Sequence, residues 1–385
     1  MSALAAERAP RLLIVSNGYG EDMEAAQIVR ALPPDRLHVA AYPLVGCGHA
    51  YPAGVELLDP RRDFPSGGFG IRAGWQSMWA DLRGGWLAFW RRQRRTLRAQ
   101  RGRAGLVLAA GDVYCLGMAA AAGGPTVYLA LPKSEYVSPH SPLERSLIRR
   151  FAVRVFARDE VTAEALRRQG IEAQYVGFTL MDTLAVTGET FGLPAGLPVV
   201  TVLPGSKPPA FDNLLLLLRA MELVAARVTP APGVLVAWPP NLAGERLRRT
   251  IDAAGGAWID PRHFRIGPLD VTVTSEHFAD ALARGTVVLG MAGAAHEQAA
   301  GLGKPIVAFP GRGAQFTPAF LAEQQRLLGD ALVATRSPDE GAAAVLRLLG
   351  DPADRERRGR TGRERQGGPG GAAAIARYLL ERLAA

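Results

Sequence analysis

Apolar and polar positions along this chain fall into two successive series of short apolar runs and amphipathic stretches. In the first series, the runs at 11–15, 37–42, 106–110, 126–131, 153–156 and 173–176 have the length of buried strands. A 3.6-residue periodicity predicts helices over 23–32, 75–100, 142–150 and 162–169. The second series opens at Val199–Leu203 and continues as helix 212–227, strand 234–238, helix 243–254, strand 271–274, helix 276–283 and strand 286–289. Such alternation predicts α/β domains with mainly parallel sheets. Gly188, Gly192, Pro194, Gly196 and Pro198 interrupt the periodicity, placing a first domain at 1–184 and a second at 185–371. Residues 355–371, RERRGRTGRERQGGPGG, read as a solvated mobile connection, and a last helix at 372–385 as one that crosses back to the first domain.

The densest pattern is VVLGMAGAAHEQAAGLGKPIVAF at 287–309, a strand, a bare turn, a short helix and a second strand. Gly290, Gly293 and Ala294 keep the turn small, so helix N–H groups and the helix dipole face a site of pyrophosphate size. Glu297, with Gln298 beside it, falls in the first helical turn. There it suits a ribose diol, and it suits the helix dipole equally well. Two further loops belong to the same carboxyl edge. Val199–Pro204 runs into Gly205, Ser206 and Lys207, a small turn with a hydroxyl and a cation, ahead of a helix for which Asp212 is the expected cap. Strand 306–309 runs into 311–317, where Gln315 offers an amide edge and Phe316 a ring for stacking, before a helix that starts at Pro318. Three loops on one edge of a parallel sheet point to a nucleotide.

The first domain differs. Its opening turn reads Gly18-Tyr19-Gly20-Glu21-Asp22, with carboxylates where a dinucleotide site needs bare backbone. Glu21 and Asp22 fit a hydroxyl or amine donor, or a proton acceptor, better than a phosphate. Asp112 ends strand 106–110 in the same way. Helix capping is the plainer role for Asp22 and Asp112.

Composition narrows the class. The net charge of +9 comes almost wholly from Arg, since Lys occurs only at 133, 207 and 304. No apolar run approaches the ~20 residues of a bilayer span, and the first ten residues lack a signal core, which together suggest a cytoplasmic protein. Cys47 and Cys115 form no framework. The six histidines lack ligand spacing and the chain has no Asp-x-Asp pair, so no metal site is expected. Nor is there a G-x-S-x-G elbow for hydrolysis.

Residues 72–103 carry Trp75, Trp79, Trp86 and Trp90 on one helical stripe with Leu82, Phe89 and Leu97, flanked by Arg83, Arg91, Arg92, Arg94, Arg95, Arg98 and Arg101. The stripe fits an anionic membrane interface, or a helix packed on its own domain. No nucleic-acid motif accompanies the charge.

The order of motifs resembles the lipid-A-disaccharide synthase family, glycosyltransferases of the GT-B type, and more distantly MurG. The resemblance runs through SNGYGED at 16–22, AAGDVY at 109–114, TVYLALPKSEY at 126–136, FARDEVTAEALRRQGI at 156–171, YVGFTLMD at 175–182, VLPGSK at 202–207 and GMAGAAHEQAAGLGKP at 290–305. It implies two Rossmann-like domains facing each other across a cleft, with a UDP-sugar donor in the second and a lipid-linked or membrane-proximal acceptor in the first. No cofactor beyond the donor is implied. The family has Gly-His-Thr at Gly177-Phe178-Thr179, Arg at Lys207 and Ser-Gly-Thr at Met291-Ala292-Gly293, departures that mark a paralogous branch. The expected activity is metal-independent hexosyl transfer, by a cytoplasmic protein resting on the inner membrane face. Asp112, Glu21 or Asp22 would take the acceptor's proton. A UDP-sugar 2-epimerase and a non-catalytic membrane-associated protein of the same fold are the alternatives.

Overall fold

A computed structural model gives the fold and describes residues 10–62, 86–313 and 316–384. Arg11–Ser16 forms β1 between two parallel neighbours, His38–Pro43 (β2) and Leu106–Gly111 (β4). Glu56–Leu57 (β3) extends one side, and Thr126–Ala130 (β5), Ala152–Ala157 (β6) and Ala173–Gln174 (β7) the other. The sheet order is β3-β2-β1-β4-β5-β6-β7. Its inner strands are apolar on both faces because helices cover both; β4 is buried at every position.

On one face, Ile28 of α1 (Tyr19–Arg30) packs with Ile14 and Leu108, joined by Ile375 and Leu379 of α13 (Gly371–Ala384). On the other, α2 (Trp86–Arg98), α3 (Val113–Ala119) and α4 (Pro142–Phe151) bring Leu97, Leu116 and Ile148 against Val15 and Val107. This unit comprises Met1–Thr183 and Pro369–Ala385, so the last helix belongs to the first sheet. The motif at 175–182 holds that helix. Asp182 accepts from the N–H groups of Gly370 and Ala372, the latter at 2.7 Å, and satisfies donors that every helix start leaves open. A Cβ on Gly371 would stand 2.7 Å from the Gly177 carbonyl oxygen. Thr179 donates to the buried Glu24 carboxylate of α1.

The described part of the Trp/Arg-rich segment belongs to its own domain. α2 buries Phe89 and Leu97, leans Trp90 on the core, and donates from Gln93 to the Leu44 carbonyl at 2.8 Å. Its opposite face carries the exposed Arg91, Arg92, Arg94, Arg95 and Arg98. Trp75, Trp79 and Leu82 lie outside the described residues.

The second unit, Leu184–Gly368, is built on Val199–Leu203 (β8). Gly233–Ala237 (β9) and Leu269–Thr274 (β12) lie to one side, Val287–Gly290 (β13), Ile306–Ala308 (β14) and Leu332–Ala334 (β15) to the other. A hairpin, Ala257–Asp260 (β10) and His263–Ile266 (β11), adds antiparallel strands beyond β12, and the order is β10-β11-β12-β9-β8-β13-β14-β15.

Two expectations are corrected here. The helix after β8, α6 (Ala210–Ala225), starts directly behind Pro209, so Asp212 lies inside its first turn and caps nothing. Residues 352–366 are not a mobile connection but a helix, α12 (Pro352–Gln366), capped by Asp351. Gly359 and Gly362 of α12 serve close packing: a Cβ on either would collide with the carbonyl oxygens of Gly303 and Ala300, at the end of α9 (Ala294–Gly301). Arg357, Arg358 and Arg363 of α12 are tied to Asp354, Asp330 and Glu356.

Candidate functional site at the two switch points

In a parallel sheet, ligands collect at the carboxyl edge where the strand order reverses. The order reverses between β1 and β4 in the first unit and between β8 and β13 in the second. The sequence places its candidate residues at both points.

In the second unit, three loops meet above β8, β13 and β14. Gly205 has φ +98°, and a Cβ there would stand 2.9 Å from the Met291 carbonyl oxygen, so only glycine lets the loop after β8 lie against the loop after β13. Met291 closes the same junction by donating its N–H to the Leu203 carbonyl at 2.8 Å. The third loop is tied in by Asn213, a buried side chain on α6. Its Oδ1 accepts from the Arg312 N–H at 2.6 Å, and its Nδ2 donates to the Pro204 carbonyl at 3.4 Å. A Cβ on Gly311 would stand 2.7 Å from that same Oδ1. Asn241, beyond β9, donates to the Ser206 carbonyl at 3.0 Å.

Gly293 heads α9, and no side chain caps the helix start. Its leading N–H groups and dipole are therefore turned toward the junction of the loops. Ser206 and Lys207 are exposed beside it. Glu297 and Gln298 are buried, at 8% and 7% exposure, and are not the surface positions that a first-turn Glu suggests. His296 is wholly buried and its ring nitrogens have no hydrogen-bond partner among the described residues. Burial alone pushes it down to about 3, so it stays neutral. Its Nε2 lies 2.7 Å from where a Cβ on Gly290 would stand, which explains the bare strand end.

Phe316 corrects an expectation. The ring expected to stack on a ligand is 4% exposed and packs edge-on against His296 and Phe320, with centroids at 5.8 and 5.6 Å. Gln315 lies outside the described residues. Along the same edge, a cavity of about 410 Å³ opens beyond β9 and β12, between Trp238, Arg248, Trp258 and Thr274.

In the first unit, β1 and β4 run in register with Ser16 beside Ala110, so Asn17 and Asp112 emerge side by side. Gly111, at φ +149°, makes this possible, since a Cβ would stand 3.0 Å from the Asn17 Cβ. Asp112 caps α3 by accepting the Cys115 N–H at 2.9 Å, and the same Oδ1 accepts from Asn17 Nδ2 at 3.0 Å. Asp22 is no cap: α1 has Gly18 at its N-cap and no side-chain cap, and Asp22 is 2% exposed with its Oδ1 unpartnered among the described residues. The Glu21 carboxylate folds back over Gly18, where a Cβ would strike it. Behind them Ser16 and Tyr51 share a hydroxyl hydrogen bond of 2.8 Å.

Burial dominates the electrostatics of this cluster. It raises Glu21 to about 7, with Asp112 and Asp22 adding repulsion, and raises Asp22 to about 6 against the pull of the Ser16 hydroxyl. Burial raises Asp112 as well, opposed by its hydrogen bonds from Cys115 and Asn17. A carboxyl group poised near neutrality is what general-base work requires. Asn213, His296, Asn17 and Tyr51 were not singled out in the sequence. Of these only Asn213, a lone amide ahead of five leucines, carried a visible signal.

No family model and no curated protein matches the sequence. Solved structures do match over nearly the whole chain. The calicheamicin glycosyltransferase CalG4 is similar at 18% identity and TM-score 0.61, covering 98% of this chain and 99% of its own. UDP-GlcNAc 2-epimerase from Neisseria meningitidis, bound to UDP-GlcNAc, gives 15% identity and TM-score 0.58, covering 97% and 99%. The glycosyltransferase SnogD from Streptomyces nogalater gives 18% and 0.55, covering 98% and 100%. This likeness defines a class: the chain has the two-domain, Rossmann-like GT-B fold. The resemblance to lipid-A-disaccharide synthase rests on the motifs alone.

Proposed function

We propose that the chain is a UDP-sugar-dependent glycosyltransferase that delivers a hexosyl group, without a metal, to a hydroxyl of a lipid-linked or membrane-proximal acceptor. The observation that carries this reading is the convergence of the 204–207, 291–293 and 311–313 loops on the uncapped start of α9. That arrangement suits a diphosphate, with Gly293 and Ala294 backbone groups, Ser206 and Lys207 on its oxygens and Glu297 near the ribose. Since Phe316 is buried, we direct the base along the carboxyl edge toward Trp238 and Thr274, where the cavity has room.

In the transfer, the acceptor oxygen attacks the sugar C1, the C1–O bond to the diphosphate breaks, and UDP leaves with the bonding pair. The acceptor proton passes to a carboxylate of the first unit, Glu21 or Asp112, each of which is partly open to solvent, with the buried Asp22 behind. Charge growing on the leaving diphosphate is met by the α9 dipole and Lys207. The exposed Arg row of α2 supports a position at an anionic surface, which adds on the order of 1 kcal/mol per residue. Among the described residues, no helix is long and apolar enough to span a membrane.

The buried carboxylates equally suit proton abstraction from a sugar carbon, as a 2-epimerase requires. Incubating a panel of UDP-hexoses in D2O separates the two. The proposal expects no deuterium at sugar C2 and UDP release that rises when acceptor is added; C2 deuteration without an acceptor assigns the epimerase instead.

A further inference from the structure

We propose that the carboxylate cluster at the β1–β4 switch point is a receptor for a protonated amine. On the reading above, the acceptor then carries an ammonium group beside the hydroxyl that is glycosylated. The pocket offers acceptors and almost no donors. Asn17 Nδ2 and the Cys115 N–H both point at Asp112, and the Ser16 and Tyr51 hydroxyls share one hydrogen bond, with the Ser16 hydroxyl also pulling on Asp22. What remains is acceptor capacity: the buried Oδ1 atoms of Asp22 and Asn17, neither with a hydrogen-bond partner among the described residues, and the Glu21 carboxylate.

Among the described residues no cation compensates the cluster. Among the described residues no Lys or Arg forms an ion pair with Glu21, Asp22 or Asp112, in a chain with 45 Lys and Arg against 36 Asp and Glu. Buried carboxylates without a partner are costly, and a ligand that brings three N–H donors and one positive charge relieves that cost. The cluster is not arranged to hold a metal ion: no group of three or more His, Cys, Asp or Glu among the described residues is so disposed. Among the described residues the start of α1 is open on its outer side. A Cβ on Gly20 would meet nothing within 4 Å, and Tyr19 and Met23, one helical turn apart on α1, are 49% and 48% exposed. They offer apolar contact to the rest of an amphiphilic acceptor. An ammonium nitrogen has no lone pair to attack with, so it anchors the acceptor while a neighbouring hydroxyl reacts.

The test compares D-glucosamine with N-acetyl-D-glucosamine, the same ring with and without the charge, in NMR-detected titrations of the full chain at pH 7.5 in EDTA. UDP is titrated separately. The expected result is glucosamine binding at least about tenfold tighter than its acetylated partner, lost in Glu21→Gln and in Glu21→Gln/Asp22→Asn, with UDP affinity unchanged. Non-specific attraction cannot produce this preference, because a chain of net charge +9 repels glucosamine. Equal binding of the two sugars overturns the inference, as does a preference that survives in Glu21→Gln, the variant at the less buried position. A chain that binds UDP yet treats the sugars alike leaves the transferase reading standing. One that prefers glucosamine but ignores UDP upholds the receptor and overturns that reading.

Discussion

Asn213 Oδ1 accepts the backbone N–H of Arg312 at 2.6 Å, joining a helix that follows β8 to a loop that follows β14, 99 residues later. The Asn213 side chain is buried, and it also reaches the Pro204 carbonyl. One amide thus sets the separation of two loops that flank the proposed diphosphate site.

Asn213→Leu should therefore do more than lower stability. Leaving the Arg312 N–H and Pro204 carbonyl without partners costs on the order of 1–3 kcal/mol, and the freed loop should weaken UDP binding in parallel. Denaturant melts and UDP titrations of the variant check both. Full stability with unchanged affinity would mean that the loop is held by other contacts.

Gly205→Ala places a side chain at φ +98° against the Met291 carbonyl. The strained backbone costs on the order of 1–3 kcal/mol, and relief requires the β8 and β13 loops to part. We expect a lower melting temperature and weaker UDP binding, whereas Gly350→Ala, where a Cβ would meet nothing within 4 Å, should leave both unchanged.

The carboxylate cluster predicts an inverted pH response. Glu21 is raised to about 7 in the fold, so the folded chain holds a proton there that the unfolded chain has released above about 4.5. Stability should fall as pH rises from about 4.5 to 7. Glu21→Gln removes this loss, making the variant more stable than wild type at pH 8 by on the order of 2 kcal/mol, with the gain vanishing near pH 4. The same ionisation supplies the base, so wild-type transfer should rise through pH 7. A Glu21→Gln chain that gains nothing at pH 8 would contradict the burial account.

The Arg row of α2 predicts salt-sensitive binding to anionic vesicles. Replacing Arg91, Arg94 and Arg98 by Gln should release the chain in a low-salt flotation assay without unfolding it, because all three are exposed. Wild-type chain that stays unbound at low salt would remove the membrane from the account.

Much of this architecture is legible in the sequence, for a physical reason. β8 and β13 are almost wholly apolar because both sheet faces are covered, and glycines mark their ends because loops there touch backbone to backbone. Glycine misleads in α12, where composition suggests a mobile segment but Gly359 and Gly362 fit against α9. Phe316 misleads similarly, since an aromatic in a glycine-rich loop looks available until His296 and Phe320 are seen to enclose it. The burial of Glu297 and Asp22 has no sequence signature, because it depends on elements far away in the chain. β10 is mostly exposed and β11 buries only alternate residues, so the hairpin lacks the apolar run that reveals a buried strand.

The proposed function turns on a UDP-sugar seated on the start of α9. Calorimetric titration of UDP into the full chain, in EDTA, tests it most directly. The account predicts one saturable site with a Kd below about 100 μM, weakened about tenfold or more in Glu297→Gln with the fold intact. A flat titration of the wild type, or a Glu297→Gln variant that binds UDP as the wild type does, would contradict it.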